Sequence, residues 1–242
     1  MAAAGFVCGL LFVFFVSRKE KLDWENALYI YTFGFIGCGI GAKILYILVS
    51  LKLIAADIRE YGWLKAAGAH IQGGLVFYGG LLGAIGAAFI TARYLRENIR
   101  DYYPALVPGI AIMAGFGRIG CFLTGCCYGA HTTCPVHIVY PEGGLAPAGV
   151  PLIPVQLYEA AFDFVLAAVL AVLGQKNYIR PHLLSLYCAL YAAFRFCLEF
   201  FRADTNRGIW GPFSTSQWIS LAILLFLLIK YITAWRARDG KI

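Results

Sequence analysis

The stretch PVQLYEAAFDFVLAAVLAVLG, Pro154–Gly174, decides the fold class. Its 21 residues hold only two acids and one amide among apolar side chains, and its second half is unbroken Ala, Val, Leu and Phe. A helix needs about 20 such residues to cross a bilayer. The polar residues are not scattered: Gln156, Glu159 and Asp163 fall at spacings of three and four, on one face of a helix. The stretch therefore reads as a transmembrane helix with a polar stripe near one end, turned away from lipid.

The rest of the chain agrees. Its composition is 61% hydrophobic and 14% charged, which marks an integral membrane protein. Seven stretches reach or approach spanning length: Ala2–Val16, Ala27–Leu53, Gly73–Tyr94, Leu106–Leu123, Pro154–Gly174, Leu183–Phe201 and Thr215–Trp235. The expectation is an all-α fold of about seven transmembrane helices forming one domain over residues 1–242. Outer loops are expected at about 55–72 and 126–150, the second rich in Gly and Pro and open to short extended pieces.

Orientation follows from Lys and Arg, which concentrate in cytoplasmic connections. With the N-terminus outside, the inner connections and the tail hold eleven of them: Arg18, Lys19, Lys21, Arg93, Arg96, Arg100, Lys176, Arg180, Arg236, Arg238 and Lys241. The outer connections hold five: Lys52, Arg59, Lys65, Arg202 and Arg207. N-out, C-in is the expected topology. The net charge of +7 thus reflects topology and lipid headgroups; no basic stripe with interleaved aromatics points to nucleic acid. The first residues carry no basic segment ahead of the apolar run, so they read as a span rather than a cleaved signal.

Glycines gather in GFIGCGIG, Gly34–Gly41, and in GGLVFYGGLLGAIG, Gly73–Gly86. Gly37/Gly41 and Gly79/Gly83 make small-residue faces for helix packing. The pairs Gly73-Gly74 and Gly79-Gly80 also flank Tyr78, where bare backbone can approach a ligand.

Ionisable residues inside a span are costly and face a partner or a cavity. In LYAAFRFCLEFFRAD, the residues Tyr191, Arg195, Glu199 and Arg202 follow one another at spacings of four, four and three, again one helix face. Alone this pattern suits a structural Arg–Glu–Arg lock. Arg118, and the stripe of Gln156, Glu159 and Asp163, change the balance: three arginines outnumber Glu159 and Glu199, which suits an anion. The guanidinium fork binds phosphate oxygens in pairs and keeps its charge. In a membrane the available phosphate is a lipid headgroup.

Arg118 introduces GRIGCFLTGCCYG, Gly117–Gly129. Cys121, Cys126, Cys127 and Cys134 fall within fourteen residues, near His131 and His137. The absence of a CxxC spacing argues against zinc, so no metal and no cofactor are expected. On an outer, oxidising face a structural disulfide from Cys134 to Cys126 or Cys127, or packed free thiols, is expected ahead of redox catalysis. His70 is expected in a loop or at an interface.

Taken in order, GGLVFYGGLLG, GRIGCFLTGCCYG, PVQLYEA, YAAFRFCLEFFR and FSTSQWIS resemble the prolipoprotein diacylglyceryl transferases, seven-span bacterial enzymes, over about residues 26–228. The resemblance implies transfer of diacylglycerol from phosphatidylglycerol to the thiol of a lipobox cysteine in a preprolipoprotein, with release of glycerol phosphate. It places the enzyme in the bacterial cytoplasmic (inner) membrane with its active site towards the outer face. It implies catalytic roles for Arg118, Arg195 and Tyr191, and for Tyr78 at the position of a family histidine. Arg202, Glu199, Gln156, Tyr158 and Glu159 match its remaining motifs and, with Gly79, Gly80, Gly117, Gly120, Cys121 and Cys126, are assigned to substrate binding, the motif glycines shaping a turn at the membrane surface. The chain departs from the family pattern at Cys121, Thr124 and Cys126, where asparagine, asparagine and glutamate are usual, and at Tyr78 and Ile153, where histidine is usual. Tyrosine is a poor base at neutral pH. The donor half of the site is therefore expected to be retained and the acceptor half altered, with a different thiol, amine or hydroxyl, or Cys126 or Cys127 itself, as a candidate recipient. Two rivals remain at this point: a thiol–disulfide or metal-binding membrane protein built on the Cys121–Cys134 cluster, and a phospholipid-binding protein without chemistry.

Overall fold

The computed structural model describes residues 1–72, 76–203 and 209–239. It is an all-α membrane protein. Among the described residues six helices are long and apolar enough to cross a bilayer: α1 (Ala2–Lys19), α2 (Trp24–Val49), α6 (Tyr103–Thr124), α7 (Val155–Leu173), α8 (Leu183–Leu198, continued by a 3-10 turn, Glu199–Phe201) and α9 (Thr215–Asp239). Of the remaining expected stretch, α5 (Phe77–Tyr94) is helical; Gly73, Gly74 and Leu75 lie outside the described residues. Helices satisfy every backbone group internally, as hydrocarbon demands.

The expected outer loop at about 55–72 is not a loop. It forms two helices, α3 (Leu51–Tyr61) and α4 (Trp63–Gln72), and α2 stops at Val49 rather than Leu53. Ser50 and Gly62, the latter at φ 79, are the breaks. The segment is held by polar contacts: the Tyr46 hydroxyl lies 2.7 Å from His70 Nδ1, His70 Nε2 lies 2.9 Å from Asp57 Oδ2, and Lys43 Nζ donates to the His70 carbonyl at 2.6 Å. His70 therefore belongs to a helix and ties three helices together.

Two compact units of packing are present, residues 13–102 and residues 1–12 with 103–242. In the first, α2 and α5 meet through glycine. A Cβ at Gly41 would collide with the backbone of Gly79 and Gly83, and one at Gly83 with the backbone of Gly37 and Gly41. With no hydrophobic force to drive helices together in lipid, close backbone approach supplies the attraction. Asn26 Nδ2 donates to Glu97 Oε1 at 2.9 Å and tethers the other end.

In the second unit α6 packs on α7, with the Phe164 ring filling the space over Gly115 and crossing Phe116 edge-on at 5.4 Å. Val107, Leu166, Leu170 and Leu183 form the apolar core where α6, α7 and α8 meet. Between α6 and α7 the chain forms the expected extended pieces, β1 (Ile138–Val139) and β2 (Pro151–Leu152), an antiparallel pair. Tyr140, Ala146 and Leu152 bury beneath them against Phe122.

Candidate active site

The polar stripe of α7 and the stripe of α8 meet. Glu159, 2% exposed, is the common partner: its Oε1 lies 2.9 Å from Arg118 Nη2 on α6 and accepts the Tyr191 hydroxyl at 2.8 Å, while its Oε2 lies 3.5 Å from Arg195 Nη1. Arg195 Nη2 continues to Glu199 Oε2 at 2.9 Å, and Glu199 Oε2 to Arg202 Nη1 at 4.0 Å. Arg195, Glu199 and Arg202 are all buried. Burying ions is tolerated only where pairing and hydrogen bonding are this dense. Arg118 reaches both Glu159 and Tyr191 through Nη2 alone, so Nε and Nη1 make no hydrogen bond among the described residues. That leaves Nε and Nη1, on opposite sides of the guanidinium, as single donors on a side chain 20% exposed. One turn beyond Glu159, Asp163 is fully buried, and neither carboxylate oxygen has a hydrogen-bond partner among the described residues.

Further contacts fix the segments around this network. Gln156, 1% exposed, donates through Nε2 to the Cys126 carbonyl at 2.7 Å and to the Tyr140 hydroxyl at 3.3 Å, fixing the cysteine loop to the start of α7. Beyond the loop, Gly129 bridges Arg202, and Ala130 N–H donates to the Phe201 carbonyl at 2.8 Å. Ser216 on α9 accepts from Arg195 Nη2 at 3.5 Å.

Of the two arrangements expected for the cysteines, the structure has packed thiols: all eight are free, and the disulfide from Cys134 is not formed. Instead the Sγ atoms of Cys121, Cys126 and Cys127 lie within 4.8 Å of one another. Adjacent cysteines converge because the backbone reverses hand: Gly125 has φ 70 and Cys127 φ 59. The Cys121 thiol, hydrogen-bonded to Cys127, together with the Arg202 and Arg118 charges, draws the Cys127 thiol down to about 5, against burial that pushes it up.

The other expected residues fall elsewhere. Gly117 and Gly120 lie inside α6 rather than in a turn; the helix runs on to Thr124, and Gly125 makes the turn. Gly120 packs on Met1, whereas among the described residues nothing lies within 4 Å of a Cβ at Gly117. Tyr158, 42% exposed, is on the outer face of α7. Gly79 and Gly80 have their backbone faces covered by α2, at Gly41 and Cys38 respectively. The side chain of Tyr78 lies outside the described residues, as does Arg207. Sequence reasoning missed Ser216, Tyr140 and Gly125. Ser216 sits in the FSTSQWIS motif and Tyr140 in an extended segment beside a Pro, but their partners are at least 16 residues distant, so spacing carries no trace of the contact.

The chain that carries this network is matched along its length by known proteins. The family model described as prolipoprotein diacylglyceryl transferase covers residues 1–233. The chain belongs to the prolipoprotein diacylglyceryl transferase family. A phosphatidylglycerol–prolipoprotein diacylglyceryl transferase 2 of Clostridium perfringens is 38% identical over 96% of this chain and 88% of its own length. The corresponding enzyme of Clostridium tetani is 33% identical over 98% and 92%, and that of Dehalococcoides mccartyi strain 195 is 31% identical over 100% and 89%. Within the family, then, Arg118, Glu159, Tyr191, Arg195, Glu199 and Arg202 form one connected unit in this chain, while Cys121 and Cys126 stand beside it in the cysteine loop.

Proposed function

We propose that this chain is a phosphatidylglycerol-dependent diacylglyceryl transferase acting on the lipobox cysteine of a preprolipoprotein. The reading is carried by one observation: Arg118 and Arg195 both pair with buried Glu159, and Arg195 and Arg202 with buried Glu199, so three arginines face two carboxylates. Its support in known proteins is the family and the names of the relatives.

In this reading the headgroup phosphate lies against Arg118, with Arg195 and Arg202 adding positive charge. The acceptor thiol gives its proton to water, its sulfur attacks the glyceryl carbon, a C–S bond forms, and the C–O bond to phosphate breaks with its electron pair leaving on glycerol phosphate. Charge grows on the leaving oxygens as the bond breaks. Fixed guanidinium donors in a site shielded from water stabilise that charge, with single preorganised donors worth about 10²–10³ in rate. Glu159 and Tyr191 hold Arg118 and Arg195 in register, and Glu199 does the same for Arg195 and Arg202. Gln156 holds the Cys126 carbonyl, so it sets the cysteine loop where the acceptor arrives. The enzyme sits in the bacterial inner membrane, N-out and C-in, with this site towards the outer face; the eleven-to-five asymmetry of Lys and Arg between inner and outer connections supports that orientation.

The test is reconstitution of the purified protein in vesicles containing headgroup-labelled phosphatidylglycerol, with a lipobox peptide. Glycerol phosphate release matched by a diacylglyceryl mass gain on the peptide is expected, and Arg195→Gln should abolish both. Equal release by the wild type and Arg195→Gln would overturn the reading.

A further inference from the structure

The cysteine cluster is not absorbed by the arginine chemistry. Three sulfurs mutually within 4.8 Å approach the spacing of a tetrahedral thiolate site, where zinc–sulfur bonds of about 2.3 Å put sulfurs roughly 3.8 Å apart. The backbone holding them is fixed. Cys121 is in the last turn of α6; Cys126 N–H donates to the Cys121 carbonyl at 3.1 Å, and the Cys126 carbonyl is held by buried Gln156 at 2.7 Å. Cys127 occupies the left-handed region at φ 59, a conformation that costs a non-glycine residue energy and persists where the surroundings impose it. All three side chains are half-buried.

The fourth position is the informative one. Structural zinc sites are closed by four protein ligands, whereas catalytic ones keep three and leave one open. Among the described residues the cluster contains three cysteines and no histidine or carboxylate; Cys134 and His137 lie apart on the exposed loop, His137 Nδ1 facing the Cys134 carbonyl at 2.9 Å. Three thiolates and a divalent zinc sum to one negative charge, and Arg118 and Arg202 both act electrostatically on the cluster. Arg118 also precedes Cys121 by three residues on α6, which puts both on one helix face.

We propose that Cys121, Cys126 and Cys127 bind zinc as a three-thiolate site whose open position takes the thiol of the acceptor cysteine. The proposal rests on the transferase reading for the identity of the acceptor. A thiol coordinated to zinc is deprotonated outright, so the site supplies the ionised nucleophile that Tyr78, as a weak base, does not. The acceptor thiol gives its proton to water as it binds. Its sulfur lone pair then forms the C–S bond to the glyceryl carbon while the C–O bond breaks, the electron pair leaves with the phosphate oxygen beside Arg118, and glycerol phosphate takes up a proton from water. The thioether product is neutral and a weaker ligand, so it departs. Nothing is oxidised or reduced.

The test uses the full chain in detergent, reduced and stripped with chelator, titrated with cobalt(II) alone as a coloured stand-in for zinc. Expected are sulfur-to-cobalt charge-transfer bands and tetrahedral visible bands saturating at one ion per chain and lost on adding zinc. A lipobox cysteine peptide should then raise the charge-transfer intensity by about a third, as three thiolates become four, and its serine counterpart should not. Cys134→Ser should bind cobalt as the wild type does, and Cys126→Ser should weaken binding at least tenfold. No cobalt bands from a protein whose thiols count as reduced overturns the site. Bands indifferent to the cysteine peptide overturn the acceptor role. Arg195→Gln keeps the bands and the peptide response while losing transfer; if the wild type behaves the same way, it is the transferase reading that fails and the metal site that stands.

Discussion

Arg118 Nη2 lies 2.9 Å from Glu159 Oε1, joining α6 to α7 through an ion pair whose acidic member is almost wholly buried. Glu159 also faces Arg195 at 3.5 Å, so one carboxylate balances two cations. Removing one partner of a buried pair leaves an uncompensated charge and costs about 3–5 kcal/mol. Glu159→Ala is therefore expected to lower stability by about 3 kcal/mol or more and to disorder both guanidinium groups, seen as a fall in thermal midpoint together with loss of transfer. Glu159→Gln keeps the shape and part of the hydrogen bonding and should retain more stability than Glu159→Ala. Equal midpoints for wild type and Glu159→Ala would show that the network does not bear on the fold.

Tyr191 separates positioning from bulk stability. Its hydroxyl donates to Glu159 at 2.8 Å and accepts from Arg118 Nη2 at 3.3 Å. Tyr191→Phe deletes that oxygen and leaves the ring. The expected cost in stability is about 1–3 kcal/mol, the value of leaving buried groups short of a partner. The expected kinetic effect is a fall in kcat with little change in KM, because Arg118 is mis-set when charge develops on the leaving phosphate. A change confined to KM would mean that Tyr191 contacts the lipid and does not set Arg118.

The glycine seam gives a prediction that involves no chemistry. A Cβ at Gly83 would strike the backbone of Gly37 and Gly41, whereas one at Gly86, three residues further along α5, meets nothing within 4 Å. Gly83→Ala should separate α2 from α5 and lower the thermal midpoint. Gly86→Ala should be neutral or stabilising by up to about 1 kcal/mol, from helix propensity alone. Equal behaviour of the two variants in a detergent melt would count against a packed seam.

Much of this was legible in the chain because membrane helices announce themselves by length and composition, and because a helix face can be read from spacing. Tyr191, Arg195, Glu199 and Arg202 could be placed on one stripe, and Gln156 and Glu159 on another, without coordinates. Their meeting was implied by charge: Arg118 and Arg195 needed a carboxylate, and Glu159 is the one that both reach. The cysteine loop was not legible, since convergence of Cys126 with Cys127 depends on φ 59 at Cys127, a conformation that no residue preference foretells for cysteine. The helices at 51–72 were misread because their polar residues look like a loop; Leu51, Ile54 and Ile58 did carry helical spacing, but the contacts that secure it, His70 with Tyr46 and Asp57, are 24 and 13 residues apart.

The last prediction concerns the link between the two halves of the site. Gln156 is 1% exposed and holds the Cys126 carbonyl at 2.7 Å from the first turn of α7, three residues before Glu159. An amide that short of water cannot be lost without leaving the Cys126 carbonyl unpartnered, at a cost of about 1–3 kcal/mol. Gln156→Leu fills a similar volume but donates nothing. The loop about Cys126 should then swing away from α7 while Arg118, Glu159 and Arg195, which share no hydrogen bond with Gln156 among the described residues, stay in place. The expected signature is faster alkylation of Cys126 and Cys127 in the reduced protein, with KM for the lipobox peptide rising at least fivefold and KM for phosphatidylglycerol unchanged. If KM for the phospholipid rises by the same factor, Gln156 acts on the arginines as well, and the division into a donor half and an acceptor half does not hold.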